Sequence, residues 1–337
     1  MAERLDPKST APSSRAKRGI CFFFGRGAIL CLAALFLSGL LYEANSAPKG
    51  PSRPRILGIA GVTLASSRFG PSQKFYGNAL AFSPAETKMS DTAAGNARCD
   101  FNAEECFLTP QGQTISILSP CGAEGPCETN FLFAITLETS DATGLRDFLK
   151  SQGVAVSEPR LGGKAFTAVD PDHHRIHFVD AGLSKHLGRD EHAAASQIIH
   201  VGFVVHDRAA MDKFYKDILG FHMYWHGGMK DEETNWVDMQ VPDGTDWIEY
   251  MLNVPANADK HTLGVMNHIA LGVPDIHAAA KQLLTNGMKL IEEPKIGRDG
   301  KWQLNLYDPD DTRVELMEFT PVQKPCCSEY TGPHPRP

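Results

Sequence analysis

The chain has 337 residues, 42% of them hydrophobic and 22% charged, with a formal net charge of -7. That length accommodates about two domains of ordinary size, and the balance of apolar and charged residues is that of a folded globular protein. A net negative chain offers no general basic surface, so nucleic acid is not expected as a partner.

The first 54 residues stand apart from the rest. Lys8, Arg15, Lys17, Arg18 and Arg26 precede an apolar run from Gly27 to Tyr42. A basic segment followed by an apolar stretch shorter than the roughly 20 residues of a spanning helix reads as a secretory leader, and Ala44-Asn45-Ser46 supplies small residues for cleavage. Cys21 to Phe24 are also apolar, so residues 20–42 fit an uncleaved membrane anchor as well. Either way the protein is expected to be exported, periplasmic or extracellular, with residues 1–54 outside the fold.

Cysteine usage agrees with export. Beyond Cys21 and Cys31 in the leader lie Cys99, Cys106, Cys121, Cys127, Cys326 and Cys327. Six cysteines in an oxidising compartment imply disulfides, and the four between Cys99 and Cys127 can pair in three ways. Their spacing lacks the C-x2-C pairs of a structural zinc site.

From residue 55 onward the chain repeats itself. QKFYGNALAF at residues 73–82 recurs as DKFYKDILGF at 212–221, so that Phe75 reappears as Phe214, 139 residues on, and DPDHHRIHF from Asp170 mirrors DPDDTRVEL from Asp308. In the second half a strand over His200 to Val205 leads to a helix from Asp207 to Leu219, closed by Gly220. Strand-like runs follow at Phe221 to Trp225, Asn235 to Val241 and Trp247 to Leu252. The plan restarts with a strand at His268 to Val273 and a helix from Asp275 to Leu284, ended by Gly287. Runs at Met288 to Ile291, Gln303 to Tyr307 and Arg313 to Phe319 complete it. Strand, helix and three strands make one module, and four are expected, at about 55–120, 129–182, 197–254 and 265–321. The fold class is therefore α+β, with two domains at 55–182 and 198–321, a polar linker at 183–197 and a Pro/Cys-rich tail at 322–337.

Four polar residues interrupt the apolar strands of the second half: His200, Glu249, His268 and Glu315. Each is costly on an inward strand face unless something pairs with it, and two imidazoles with two carboxylates can share one divalent metal. His200 to Glu249 spans 49 residues, Glu249 to His268 spans 19 and His268 to Glu315 spans 47, so each module contributes one residue from its first strand and one from its last. A solvated edge strand is the bland alternative for either glutamate.

The repeated βαβββ plan, the HVGFVVHDRAAMDKFYKDILGF opening, the NHIALGV restart and the closing YDPDDTRVELMEF resemble the vicinal oxygen chelate superfamily. That superfamily includes glyoxalase I, methylmalonyl-CoA epimerase, extradiol dioxygenases, and fosfomycin and bleomycin resistance proteins. The resemblance implies paired modules that curl a mixed sheet into an open barrel around a metal. It also implies a His/Glu/His/Glu ligand set similar to bacterial glyoxalase I, where ring-cleaving dioxygenases use two His and one Glu. Glu249 is thus the discriminating residue.

Aligned on the repeat, the first half places Gly61, Ser116, Ala134 and His177 where the second has His200, Glu249, His268 and Glu315. Only His177 can bind a metal, so this half is expected to keep the fold and lose the chemistry. His173 and His174 lie in a turn and are expected to be solvated.

The expected activity is a lyase or isomerase reaction on a small molecule with vicinal oxygens. One divalent ion (Zn, Ni, Fe, Mn or Co) would stabilise an enediolate, and Glu315 or its counterpart Glu249 would move the proton. No basic cluster marks a glutathione or coenzyme A pocket. The alternatives are an Fe(II) extradiol-type dioxygenase and a resistance-type binding protein without turnover. Oligomeric state is open.

Overall fold

A computed structural model describes residues 51–66, 68–85, 99–100, 103–119, 132–183 and 191–337. The leader or anchor at residues 20–42, together with Cys121 and Cys127, lies outside the described residues. No helix among those described is long and apolar enough to cross a membrane.

Two curled sheets organise residues 48–337, which form one compact unit. The first sheet holds β1 (Ile56–Ala65), β2 (Ser83–Pro84), β3 (Glu105–Leu108), β4 (Thr114–Leu118), β5 (Leu132–Thr139), β6 (Ala165–Val169) and β7 (Arg175–Asp180). The second holds β8 (Gln197–Val204), β9 (His222–Gly227), β10 (Trp236–Gln240), β11 (Trp247–Met251), β12 (His268–Val273), β13 (Lys295–Ile296), β14 (Trp302–Tyr307) and β15 (Arg313–Glu318). The first runs β2-β3-β4-β1-β5-β7-β6 and the second β9-β10-β11-β8-β12-β15-β14-β13, so equivalent strands take equivalent places. In both, the first strands of the two modules pair antiparallel at the centre.

Alternation along the second sheet separates two chemistries. Val201, Phe203, Ile248, Tyr250, Ile269, Leu271, Val314 and Leu316 point to one face and join the main apolar core. Helices cover that face: one over Arg208–Asp212, which runs on into a wider π-helical turn over Lys213–Ile218, and another over Ile276–Thr285. Asp207 and Asp275 cap them by accepting from Ala210 N and Ala278 N, which fixes where both helices begin. The opposite, concave face receives His200, Glu249, His268 and Glu315. A register shift between Ala270 and Leu271 leaves Ile199 as an extra residue in β8, which lets Ile199 join the concave cluster beside His200.

The two halves lock through the residues that repeat in sequence. Tyr76 OH donates to Asp308 at 2.9 Å and Tyr215 OH donates to Asp170 at 3.0 Å, so each half's helix reaches the Asp-Pro-Asp turn of the other. All four side chains are buried. Replacing Tyr76 with phenylalanine should leave Asp308 short of one donor and destabilise the protein by about 1–2 kcal/mol. Chemical denaturation measures this, and a variant as stable as wild type would contradict the lock.

Two expectations need correction. Met288 to Ile291 forms no strand: the edge of β14 is taken by β13, and Ile291 is 72% exposed. His174 is not solvated, because its Nδ1 sits 2.8 Å from Asp170 Oδ2 and its ring packs on Phe203. The Pro/Cys-rich tail is seated by backbone hydrogen bonds. Val322 N and Cys326 N donate to the carbonyls of Gly300 and Arg298, while Thr331 N donates to the Tyr224 carbonyl, so the tail bridges the regions of the two sheet edges. A helix over Lys260–Met266, capped by Asp259, also had no counterpart in the sequence reading. Of the cysteines, Cys99 pairs with Cys106, and the adjacent Cys326 and Cys327 pair with each other.

Candidate functional site

Register brings the four polar residues of the second half to one place. In β11 and β8, Trp247 faces His200 and Glu249 faces Gly202; across β12, His268 faces Gly202 and Ala270 faces His200; Glu315 in turn faces Ala270. The two imidazoles converge with Nε2 atoms 3.0 Å apart. Glu249 Oε2 lies 3.1 Å from His268 Nε2 and 3.7 Å from His200 Nε2. Glu315 Oε2 lies 3.9 Å from each. The group whose ligand atoms all fall within 4.8 Å of one another is His200, His268 and Glu315. Glu249 joins it through the histidines and is the most exposed of the four, with 13% of its side chain accessible.

Local contacts aim these groups. His268 Nδ1 is 3.0 Å from the Met266 carbonyl, so the proton belongs on Nδ1 and the Nε2 lone pair points into the cluster. Gly202 makes room for that ring, since a Cβ there would stand 2.0 Å from His268 Cε1. His200 rests on Trp247, ring centroids 4.8 Å apart. Two nitrogen lone pairs 3.0 Å apart repel unless a proton or a cation lies between them.

Charge gives a second test of whether a divalent ion fits. Asp238, Glu249, Asp299 and Glu315 share this end of the barrel with Lys301 and Arg313. Fully ionised, the carboxylates exceed the cations by two charges, the number a divalent cation neutralises. Burial pushes the Glu249 and Glu315 carboxyls up to about 7 and Asp299 to about 6. Burial, then repulsion from neighbouring positive groups, holds His200 and His268 well below the usual histidine range, so both imidazoles are neutral and ready to donate. His200 Nδ1, Asp238 Oδ1, Trp247 Nε1, Lys301 Nζ, Asn305 Oδ1 and Arg313 Nε are buried without a hydrogen-bond partner. So many unmet polar atoms on one concave face mark a chamber built to hold something polar.

Lys301, Asp238, Asp299 and Arg313 were not found by sequence reasoning. Lys301 is fully buried, 4.4 Å from the Trp247 ring centroid and within 5.5 Å of those of Tyr224 and Tyr330. It sits in the loop before β14, where no periodicity announces it. Arg313 and Asp238 had a signal, since each alternates onto the inward face of its strand.

The first sheet is different. Gly61 faces Thr114 as His200 faces Trp247, Ala134 faces Thr63 as His268 faces Gly202, and His177 faces Thr136 as Glu315 faces Ala270. His177 hydrogen-bonds Thr167 at 2.7 Å and lies 3.4 Å from Asp100, and no metal-competent group is found in this half among the described residues. The remaining grouping, Asp231 with Cys326 and Cys327, has its sulfurs in a disulfide.

Residues 197–316 match the family model of the Glyoxalase/Bleomycin resistance protein/Dioxygenase superfamily. Residues 197–316 are a domain of this superfamily. The chain is similar to lactoylglutathione lyase of Haemophilus influenzae, 27% identical over 124 residues that cover 36% of this chain and 92% of the relative. In fold, the protein is similar to the Mn(II)-bound glyoxalase from Novosphingobium aromaticivorans, with a TM-score of 0.57 at 16% identity over 82% of this chain and 86% of that one. It is similar also to the 2,3-dioxygenase LapB from Pseudomonas sp. KL28, with a TM-score of 0.56 at 16% identity over 86% and 95%. The fold shared with these glyoxalase and dioxygenase structures thus extends over both halves.

Proposed function

We propose that the second-half barrel is the centre of a metal-dependent lyase or isomerase acting on a small molecule with vicinal oxygens. The observation that carries this reading is the place of Glu249. Its carboxylate lies nearer to both imidazole Nε2 atoms than that of Glu315 does, which makes a four-donor set of His200, Glu249, His268 and Glu315. Nitrogen and carboxylate donors in this number suit Zn, Ni, Fe, Mn or Co. A divalent ion there supplies a Lewis acid for two adjacent oxygens.

The chain's own groups supply the proton chemistry. In the ion-free protein burial raises both the Glu249 and Glu315 carboxyls to about 7, so either carboxylate, when free of the ion, would accept a proton at neutral pH. Glu249, more exposed, is placed to take the proton from the carbon beside the oxygens. Glu315, 5% accessible, is the fixed partner. Trp247 and the aromatic residues around Lys301 keep water from the inner end of the chamber.

A second reading rests on the tight group of His200, His268 and Glu315, two histidines and one carboxylate as in iron oxygenases. Two assays separate the readings. Protein loaded with Ni, Zn, Mn or Co is incubated in deuterated water with α-hydroxy aldehydes, α-hydroxy ketones and hemithioacetals. Protein loaded with Fe(II) is incubated with catechols in an oxygen electrode. The lyase or isomerase reading expects deuterium beside the carbonyl, lost in Glu249→Gln, and no oxygen uptake. Oxygen uptake with ring cleavage would overturn it in favour of the dioxygenase.

A further inference from the structure

We propose that Arg313 is the residue that anchors the oxyanion of the bound substrate, an assignment that rests on the metal reading above. Arg313 lies two residues before Glu315 on β15 and therefore on the same concave face. Its Nη2 is 2.8 Å from His268 Nε2. A guanidinium only donates, so it occupies the single Nε2 lone pair, the same lone pair that coordinates an ion. The two uses exclude one another. Ion binding at His268 therefore frees the guanidinium without carrying it away, because the strand holds its base beside Glu315. Arg313 Nε is buried with no hydrogen-bond partner, so the group has donor capacity that the protein itself leaves unmet.

The direction of approach selects the same residue. Trp247, His200 and Glu315 form the inner row of the site, and beyond them along the same strands Met317 and Phe319 pack with Ile199 into an apolar cluster joined by Tyr330 of the tail. Glu249, Gly202 and His268 form the outer row, and Arg313 extends it. A molecule that enters past the partly exposed Glu249 meets Arg313 before it reaches the inner wall. A substrate whose adjacent oxygens are anionic presents negative charge there, and a planar guanidinium offers two parallel N–H groups to an oxygen pair. The inferred ligand class is a small vicinal-dioxygen anion whose oxygens reach beyond the ion to the guanidinium.

The test uses the full chain, loaded with one metal and checked by elemental analysis. Oxalate serves as the bidentate anionic probe and imidazole as the neutral monodentate one, both titrated by calorimetry. In Arg313→Gln the metal content should equal that of wild type, oxalate should bind about tenfold to a hundredfold more weakly, and imidazole should bind unchanged. Arg313→Lys should restore part of the oxalate affinity. Oxalate affinity within about twofold of wild type in metal-loaded Arg313→Gln would overturn the assignment. So would loss of metal from both variants, since Arg313 would then be holding the ligands rather than the substrate. Wild-type protein that retains no metal fails at the elemental analysis, before any probe is added, and that result counts against the metal reading itself.

Discussion

Gly202→Ala should lose its metal while keeping its fold. The added methyl group would stand 2.0 Å from His268 Cε1, 2.4 Å from Nδ1 and 2.8 Å from Nε2, so the imidazole must move. The ring has little room, since Nδ1 is tied to the Met266 carbonyl and Nε2 faces His200 and Glu249. A shift of about an ångström breaks a coordination geometry that tolerates only a few tenths. We expect metal affinity to fall by at least about a hundredfold, more than the tenfold to hundredfold typical of a change behind the ligands. Elemental analysis after dialysis, with circular dichroism as a control for folding, checks this. A folded variant that retains a full equivalent of metal would show that His268 is not where the ion binds.

Affinity for a divalent ion should rise with pH up to about 7 and then level off. Glu249 and Glu315 are raised to about 7, so below that pH both carry a proton that an ion must displace. His200 and His268 are shifted the other way and carry none to release near neutrality. Each carboxyl that must ionise contributes about tenfold in affinity per pH unit, so the gain between about pH 5.5 and 6.5 should approach a hundredfold. Glu249→Gln removes one of the two protons and should halve that slope on a logarithmic scale. Competition against a colorimetric chelator across this range measures it. An affinity flat from about pH 5.5 to 7 would place both carboxylates outside the site.

Much of this was legible in the sequence, for reasons that can be named. A polar residue alone in an apolar strand must be satisfied by something, and the spacing of His200, Glu249, His268 and Glu315 told which strands would bring them together. The helix starts were readable because Asp207 and Asp275 cap them with their own side chains. The repeat of Phe-Tyr and Asp-Pro-Asp was legible as a pattern but not as a purpose. Only the structure shows each Tyr76 or Tyr215 hydroxyl bonded to the opposite half's aspartate. Lys301 and Asp299 were not legible, because a loop has no period and their significance lies in rings contributed by Tyr224, Trp247 and Tyr330, far away in sequence. The seating of the tail was not legible either. Its backbone donors meet the Gly300, Arg298 and Tyr224 carbonyls, and such pairings leave no trace in side-chain pattern.

Elemental analysis of purified protein decides whether the second half holds a single metal ion on His200, Glu249, His268 and Glu315. Wild type, His268→Ala and Glu249→Ala are compared after dialysis. We expect one divalent ion per chain in wild type and well under one in each variant. Two ions per chain, none, or an undiminished one in both variants would rule that site out.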